Sequence, residues 1–237
     1  MDLGKDCCNL LDGMHLSGDM TRILITAGPT HEPIDDVRYL ANRSSGRMGI
    51  ALATAAADRG LPTTLLLGPV PETPHLPSGV TCLRFRTTDD LQALLAGSWP
   101  DHDLLLMAAA VADFRPAAPV PGKLRRRSNR LVLDLEPTPD LLSGLTRTRP
   151  DQRVVAFALE EPDGLLEAAR RKLEAKGADA IVANPLETMD AETVTAVLLE
   201  RDGGRYDAPP DLPKTAFADW LLDRLLAPAA GRVGDRM

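Results

Sequence analysis

The segment 23–49 constrains the fold more than any other part of the sequence, because it joins a largely apolar strand to a helix through a long polar loop. Residues 23–27 predict a buried strand. A Gly-Pro turn follows at 28–29, and a Ser-Ser-Gly sequence at 44–46 precedes the apolar pattern of a helix. Unpaired N–H groups and the helix dipole attract anions at such a helix start. The segment therefore predicts an anion site at the end of a sheet.

The loop inside this segment is longer than most strand-to-helix connections, and long loops in compact domains are often functional. It carries more ionisable and amide side chains than a connection needs, namely Glu32, Asp35, Asp36, Arg38, Asn42 and Arg43. For Ser44 or Ser45 alone, the simpler interpretation is an ordinary helix N-cap. The loop taken as a whole favours a binding site.

Composition predicts a globular protein and limits the classes of function. The chain has 237 residues, of which 44% are hydrophobic and 26% charged, and a formal net charge of −7. This charge argues against a nucleic-acid-binding protein, which normally has a basic face. We find no membrane-spanning apolar run and no signal-peptide pattern, so we expect a cytoplasmic protein without a membrane partner. The three cysteines and four histidines lack metal-ligand spacing, so we predict no metal ligands in the chain.

Alternating strand and helix patterns predict an α/β fold, Rossmann-like, with a doubly wound and mainly parallel sheet. The predicted strands are 23–27, 63–67, 81–86, 103–111, 131–135, 154–159 and 180–183, and a hairpin is predicted near 193–206. The predicted helices are 46–60, 87–97, 138–145, 165–176 and 215–226. We expect residues 1–20 to be a disordered N-terminal extension, 21–227 to form the domain and 228–237 to be a C-terminal tail.

Three further stretches offer candidate side chains at the carboxyl edge of this sheet. AAAVADFRP, at 108–116, would let a nucleotide approach the backbone beside Asp113, although Asp113 could equally cap the following turn. GKLRRR, at 122–127, places four cations in five residues between Pro/Gly hinges. It could be a lid that closes over a polyphosphate, or a solvated face. Lys172 and Lys176, an i,i+4 pair on a helix, could also be solvated or could face a ligand.

These motifs together resemble bacterial phosphopantothenate–cysteine ligases, also called phosphopantothenoylcysteine synthetases. The stretch TAGPTHEPIDDVRYLANRSSGRMG is similar to the family signature, and AAAVADFRP, GKLRRR, EPTPDLL, AFALE and KLEAKGADAIVAN follow in the family's order. The resemblance covers about residues 21–227. In bacteria this activity is often the C-terminal half of a bifunctional protein whose other half is a flavin-dependent decarboxylase. The chain looks like a stand-alone ligase that lacks this half.

The resemblance implies a ligase of coenzyme A biosynthesis. The carboxylate of 4′-phosphopantothenate would attack the α-phosphorus of CTP, releasing pyrophosphate and forming an acyl-cytidylate. The amine of L-cysteine would then displace CMP to give 4′-phosphopantothenoyl-L-cysteine. Mg²⁺ would arrive with the nucleotide triphosphate. Family members are homodimers, so the resemblance assigns the hairpin near 193–206 to dimerisation, and a separate decarboxylase could dock on the protein.

The resemblance also implies roles for individual residues. Asn42 would stabilise the acyl-cytidylate and the oxyanion of amine attack, and Lys123 would be the lid lysine on the triphosphate. These two are the predicted catalytic residues. The predicted phosphate or substrate contacts, besides Asn42, are Gly28, Ser44, Ser45 and Gly46. The predicted CTP contacts, besides Lys123, are Met107, Ala108, Ala109, Asp113, Pro139, Asp140, Leu141, Leu142, Phe157, Lys172 and Lys176.

The sequence departs from the family pattern at four places. Arg47 stands where lysine is common, which keeps the charge. Glu161-Pro162 replaces a Thr-containing segment, one extra residue precedes Lys172, and Pro185 replaces a common aspartate. These changes bear on the local geometry around Asn184 and Lys172 and do not involve Asn42, Asp113 or Lys123.

Three alternatives to a CTP-dependent ligase remain at this point. The first is the same ligation with ATP, since base choice depends on pocket edges that a sequence does not display. The second is a nicotinamide-dependent reductase, which the missing Gly-x-Gly-x-x-Gly fingerprint and Tyr-x-x-x-Lys pair weigh against. The third is a nucleotide-binding module without ligase activity, which the presence of Asn42 and Lys123 weighs against.

Overall fold

The buried strands of the chain form the centre of a single large sheet in the computed structural model, which describes residues 20–72, 74–126, 130–189 and 191–227. The strands are β1 (Ile23–Ala27), β2 (Glu32–Pro33), β3 (Tyr39–Leu40), β4 (Thr63–Leu67), β5 (Val80–Arg84), β6 (Leu104–Met107), β7 (Phe114–Pro116), β8 (Leu135–Pro137), β9 (Arg153–Glu160), β10 (Ala180–Pro185), β11 (Thr193–Val194), β12 (Val197–Glu200), β13 (Arg205–Asp207) and β14 (Leu212–Pro213). The helices are α1 (Arg47–Asp58), α2 (Thr88–Ser98), α3 (Leu165–Ala175) and α4 (Lys214–Leu226). The predicted extension, apart from Met20, and the predicted tail lie outside the described residues.

The main sheet has the strand order β13-β12-β10-β9-β6-β1-β4-β5. The six strands from β10 to β5 are parallel, and β12 and β13 extend one edge antiparallel. Ile25 of β1 lies in register between Leu65 of β4 and Leu106 of β6, and all three side chains are fully buried. The predicted α/β fold, with a doubly wound and mainly parallel sheet, is confirmed.

The direction of chain winding reverses beside β1. The chain first runs outward from β1 to β4 and β5, then returns to β6 on the other side of β1. In open α/β sheets, ligands bind outside the carboxyl ends of the strands at such a switch point. A ligand site is therefore expected at the carboxyl ends of β1 and β6.

Helices cover both faces of the sheet and close two apolar cores. Buried side chains of α1 and α4, such as Leu52 and Phe217, pack on one face with Ile25 of β1. Buried side chains of α2 and α3, such as Leu91 and Leu173, pack on the other face. Burying a side chain of this size contributes roughly 1.5–3 kcal/mol relative to leaving it exposed. No described helix has the length and apolar character that a membrane crossing requires.

Three predicted elements differ from the observed ones for identifiable local reasons. The predicted helix 138–145 is wrong, because the Asp140 carboxylate accepts hydrogen bonds from the N–H groups of Leu142 and Ser143 and residues 141–144 form a turn. The predicted strand 131–135 is wrong in position, since β8 begins at Leu135 and pairs with β7.

The third difference concerns β6, which ends at Met107, well short of the predicted end at residue 111. The Ala109 N–H donates to the Thr26 hydroxyl at 3.0 Å, so a side chain of β1 takes the place of a ladder carbonyl. The ladder is therefore interrupted after Met107, where the predicted nucleotide contacts lie, and resumes only as an isolated bridge between Pro29 and Ala110.

The predicted hairpin near 193–206 exists as β12 and β13, which pair antiparallel around the turn at 201–204. It extends the main sheet of its own protomer through pairing of β12 with β10. Its assignment to dimerisation stays a prediction.

A buried carboxylate attaches the loop after β1 to α2. Glu32 is 2% exposed and accepts hydrogen bonds from the N–H and hydroxyl of Thr88, at 2.9 and 2.7 Å. Thr87 caps the same helix with Asp90 in a reciprocal capping box. This arrangement fixes the start of the polar loop beside the switch point.

The contact between α1 and β1 gives the first testable prediction. Gly49→Ala should lower the free energy of unfolding by about 1–3 kcal/mol, because a Cβ at residue 49 would lie 2.4 Å from the Ala27 Cβ. The matched control is Gly97→Ala in α2, where the Cβ would meet open space. This control should raise the free energy of unfolding by about 0.5–1 kcal/mol. Urea unfolding measures both changes, and a neutral or stabilising Gly49→Ala would contradict the close contact.

Candidate functional site

An open cavity of about 710 Å³ lies at the carboxyl ends of the central strands. This volume is within the usual range for small-molecule sites. Among the described residues that line it, five are cationic and two are anionic, although the whole chain has a net charge of −7. The cations are Arg43, Arg47, Lys172, Lys176 and Lys214, and the anions are Asp113 and Asp140. The cavity is therefore suited to an anionic ligand.

The N-terminus of α1 lines this cavity and is not capped by any described side chain. Its N-cap is Gly46, so neither serine is the helix cap, although the Ser44 hydroxyl accepts a hydrogen bond from the Gly46 N–H at 3.3 Å. Gly46 has a left-handed φ of 72°, and a Cβ there would lie 2.8 Å from a Val70 methyl group, so only glycine fits. Arg47 is the first helical residue, where the helix dipole disfavours a cation unless an anion binds nearby.

Gly28 lies beneath this helix start and outside the cavity lining. It is buried, with a φ of 80°, and its Cβ position is 3.3 Å from the same Val70 methyl group. Gly28 is close to the helix start, since a Cβ at Gly46 would lie 3.4 Å from the Gly28 nitrogen. A direct phosphate contact of Gly28 stays a prediction.

The Asn42 side chain connects the loop to the open end of β6. Its amide Nδ2 donates to the Val111 carbonyl at 2.8 Å, and Asn42 lines the cavity. The Thr30 hydroxyl, fully buried, accepts from the Ala112 N–H at 3.0 Å. Side chains of the loop after β1 thus shape the backbone that follows β6, which forms a wall of the cavity.

Two lysines face the cavity from the end of α3, and each has a carboxylate partner. Lys176 Nζ lies 2.6 Å from Asp140 Oδ2, and Lys172 Nζ lies 2.6 Å from Glu160 Oε1. Burial opposes the charged form of Asp140, but hydrogen bonds from Lys176 and Ser143 lower the pKa of this carboxyl below its usual value. The lysines are therefore held near the cavity before any ligand binds.

The structure brings most of the predicted site residues together. The predicted contacts that line the cavity are Asn42, Ser44, Ser45, Gly46, Met107, Ala108, Ala109, Asp113, Pro139, Asp140, Leu141, Leu142, Phe157, Lys172 and Lys176. Gly28 and Lys123 do not line it. Whether any of these residues contacts a ligand stays a prediction.

Several lining residues were not predicted from the sequence. Asn184 ends the KLEAKGADAIVAN motif at the carboxyl end of β10, so its position at the sheet edge could have suggested it. It donates to the Thr188 hydroxyl at 2.7 Å. Lys214 gave no sequence signal, because only the tertiary fold brings the start of α4 to this cavity.

The flap, defined here as residues 117–126, is attached to the loop after β1. The Gly122 N–H donates to the Asp36 carboxylate and the Asp36 N–H to the Gly122 carbonyl, both at 3.0 Å. Leu124 N–H donates to the Asp35 carboxylate, also at 3.0 Å. Lys123 lies between these two attachment points, and its side chain is exposed.

Asp35 is the buried centre of this attachment and is 2% exposed. Burial opposes its charged form, but four favourable interactions outweigh that effect. They are hydrogen bonds from the N–H groups of Leu124, Val37 and Arg38, and the adjacent Arg38 guanidinium. Together they lower the pKa of the Asp35 carboxyl from 3.8 to about 2. Asp35 is therefore an ionised clasp between the flap and the loop.

No metal centre is formed by protein groups within the part of the chain that the structure describes. In that part, no three His, Cys, Asp or Glu side chains lie close enough to hold a metal ion.

Comparisons with known proteins agree with this architecture. A family model described as the DNA/pantothenate metabolism flavoprotein C-terminal domain matches residues 19–228. The crystal structure of the C-terminal domain of the coenzyme A biosynthesis bifunctional protein CoaBC is similar, with a TM-score of 0.71 and 33% identity. The match covers 86% of this chain and 93% of that one.

Two curated relatives are longer than this chain. CoaBC of Mycolicibacterium smegmatis is 36% identical over 221 residues, which cover 87% of this chain and 52% of that protein. A protein named cysteine/cysteine sulfinic acid decarboxylase, from an unknown prokaryotic organism, is 42% identical over 166 residues. That match covers 70% of this chain and 46% of that protein. The chain thus spans about half the length of these curated relatives.

The Asp35 clasp gives a prediction on pH dependence. Since the pKa of the Asp35 carboxyl is lower in the folded chain, its charge contributes stability that is complete above about pH 4 and is lost as the pH falls through about 2. The free energies of unfolding of wild type and Asp35→Asn should therefore differ by a constant amount at neutral pH and converge below about pH 4. Urea unfolding between pH 7 and 3 measures this difference.

The control for this experiment is Asp36→Asn, which removes the neighbouring, exposed carboxylate of the same attachment. It should cost less stability at neutral pH than Asp35→Asn. A gap between wild type and Asp35→Asn that stays the same down to pH 3 would contradict the clasp.

Proposed function

Because the chain belongs to the DNA/pantothenate metabolism flavoprotein C-terminal domain family, we propose that it is a phosphopantothenate–cysteine ligase of coenzyme A biosynthesis. In the first step, the carboxylate of 4′-phosphopantothenate attacks the α-phosphorus of CTP, and pyrophosphate leaves. In the second, the amine of L-cysteine attacks the acyl carbon of the acyl-cytidylate, loses a proton, and expels CMP. The product is 4′-phosphopantothenoyl-L-cysteine, and the reaction would take place in the cytoplasm.

The observation that carries this proposal is the cationic cavity at the switch point, with an uncapped helix N-terminus in its wall. Apart from the Gly46 N–H, which donates to the Ser44 hydroxyl, the N–H groups at the start of α1 can bind phosphate oxygens without a compensating cation. Arg47 adds a positive charge at the same place. This end of the cavity suits the triphosphate, where negative charge grows as pyrophosphate departs.

Another part of the cavity lining suits the nucleoside. It contains the small residues Ala108 and Ala109, the ring of Phe157, and the two lysines at the end of α3. Small side chains allow a flat base to approach the backbone, and an aromatic ring offers a stacking surface. The nucleotide would therefore extend from α3 across the end of β6 to the start of α1.

Asn42 is suited to the acyl-transfer step because it lines the same cavity and its side chain is held by the segment that follows β6. One N–H of its side-chain amide is engaged by the Val111 carbonyl, and an amide nitrogen carries a second N–H. That second donor can stabilise the oxyanion that forms when the amine attacks. A neutral donor fits this role, since it adds no charge that would repel the intermediate.

Lys123 would reach the triphosphate through movement of the flap together with the loop to which Asp35 and Asp36 attach it. Its exposed side chain lies outside the cavity lining, and the flap is attached through Asp35 and Asp36 on either side of it. A lid of this kind can bring a cation to the phosphates only after the nucleotide has entered. Mg²⁺ would arrive with the triphosphate and neutralise part of its charge, and Asp113, one of the two carboxylates in the described lining, is a candidate contact.

We also propose a homodimer. Support comes from exposed apolar side chains in the segment that precedes and includes β8, where Leu131, Val132 and Leu133 are 65%, 75% and 42% exposed. Contiguous exposed apolar residues often mark an interaction surface. The hairpin β12–β13 is a second candidate for the contact, because β13 is an edge strand of its own protomer's sheet. A separate decarboxylase remains a further proposed partner.

A turnover assay tests the proposed function. The chain is incubated with 4′-phosphopantothenate, L-cysteine and either CTP or ATP, and pyrophosphate, nucleoside monophosphate and amide product are measured. The proposal predicts all three products with CTP. Product with ATP alone would favour the ATP-dependent alternative, and no turnover with either nucleotide would contradict the ligase.

Asn42→Asp tests the role of the cavity amide. We expect pyrophosphate release to continue while amide formation falls by about 10²–10³-fold, because the new carboxylate cannot donate a hydrogen bond and repels the oxyanion. Single-turnover measurement separates the two steps. Asn42→Ala, which removes the donor without adding charge, should impair the second step less than Asn42→Asp. Product formation by Asn42→Asp at the wild-type rate would show that Asn42 has no such role.

A further inference from the structure

Glu160 is a charged residue that the proposed reaction has not used. It is the last residue of β9, and its carboxylate oxygen Oε1 lies 2.6 Å from the Lys172 ammonium. Its side chain is 18% exposed, whereas that of Lys172 is 50% exposed. Lys172 lines the cavity and Glu160 does not. The carboxylate thus lies behind a lysine whose ammonium can reach the ligand space.

The alternation of β9 explains why this carboxylate points toward α3. Ala156 and Ala158 of β9 pack in the same core as Ala169 and Leu173 of α3. Side chains two residues apart on a strand share a face, so Glu160 continues this row. Lys172, one residue before Leu173, extends from α3 over the end of the row. The pair therefore forms where a strand end and a helix end meet.

Partial burial of the Glu160 carboxylate is unfavourable unless the charge is paired. Glu160 Oε1 is inaccessible to solvent and accepts no well-aligned hydrogen bond from the described residues, so its contact with Lys172 is an ion pair. A lysine side chain alone is flexible and would lose conformational freedom on binding a ligand. Fixing it in advance lowers that cost, as in other preorganised sites.

The neighbouring pair, Lys176 and Asp140, is built differently. Asp140 lies in the turn after β8, lines the cavity itself, and divides its hydrogen bonds among Lys176, Leu142 and Ser143. Glu160 lies on a central strand and stays out of the cavity. Groups on strands position a site more accurately than groups on loops.

We propose that Glu160 is a positioning residue that holds the Lys172 ammonium in place to bind the nucleotide. This inference rests on the proposed function, because it assigns the pair to the nucleotide end of the ligase cavity. Glu160 acts through Lys172 and does not touch the ligand. Its charge also balances that of Lys172 while the cavity is empty.

Binding of CTP to the full chain tests the assignment, measured by titration calorimetry without the other substrates. Glu160→Gln keeps the shape of the side chain and removes its charge, and should weaken CTP binding roughly tenfold. Lys172→Gln should weaken it at least as much. The double variant should bind within about twofold of Lys172→Gln alone, since Glu160 has no further effect once Lys172 is absent.

The matched control is Glu167→Gln on α3. Glu167 pairs with Arg171 at 3.7 Å, but both side chains are largely exposed, at 84% and 71%. Removing this surface carboxylate should leave CTP binding within about twofold of wild type. Thermal unfolding of each variant checks that the fold is intact. The proposal would be overturned if Glu160→Gln weakened CTP binding equally in the wild-type and Lys172→Gln backgrounds. It would also be overturned if Glu160→Gln did not weaken CTP binding at all.

Acylation of lysines gives a second readout that needs no nucleotide. With an amine-reactive ester and mass spectrometry, Lys172 should be labelled several-fold faster in Glu160→Gln than in wild type, because its amine is no longer engaged by the carboxylate. Lys176, whose partner is intact, should be labelled at the same rate in both. Equal labelling of Lys172 in the two proteins would overturn the assignment.

The two readouts separate this inference from the proposed function. A wild-type chain that binds neither CTP nor ATP would contradict the ligase proposal. In that case, faster labelling of Lys172 in Glu160→Gln still supports Glu160 as the residue that holds Lys172, and an unchanged rate overturns it.

Discussion

The close contact between α1 and β1 is the constraint on which the rest of the site depends. Gly49 allows the helix to approach Ala27 on the strand, and Gly46 allows the chain to enter the helix in a left-handed conformation beside Val70. Together they direct an uncapped helix N-terminus toward the point where the sheet reverses its winding. The amides at this end then form one wall of the cavity, so packing in the core determines where an anion can bind.

Charged side chains of the site are held in ion pairs in the ligand-free chain. An acidic chain concentrates cations in one cavity, and the lysines at the end of α3 each have a carboxylate partner, Asp140 or Glu160. Asp35 applies the same principle to the flap, since its ionised carboxylate connects the flap to the loop after β1. Paired charges limit the cost of burial and fix side chains in useful positions. The site is thus largely preorganised.

Sequence patterns predicted the parts of this structure that depend on local periodicity or on contiguous motifs. The apolar run of β1, the helix start near Gly46 and the doubly wound sheet were all predictable, and most motif residues converge on the cavity. The helix at 138–145 was wrong because the Asp140 side chain competes for backbone N–H groups. The contribution of Lys214 depends on tertiary contacts that a linear pattern does not contain, and so does the position of Lys123 outside the cavity lining.

The central claim is that the amides at the start of α1 bind the phosphates of the nucleotide. A crystal structure of the chain with CTP and Mg²⁺ tests it most directly. The account predicts phosphate oxygens within about 3 Å of backbone nitrogens between Ser45 and Met48, with the base near the end of α3. A triphosphate bound elsewhere, with the start of α1 unoccupied, would contradict it.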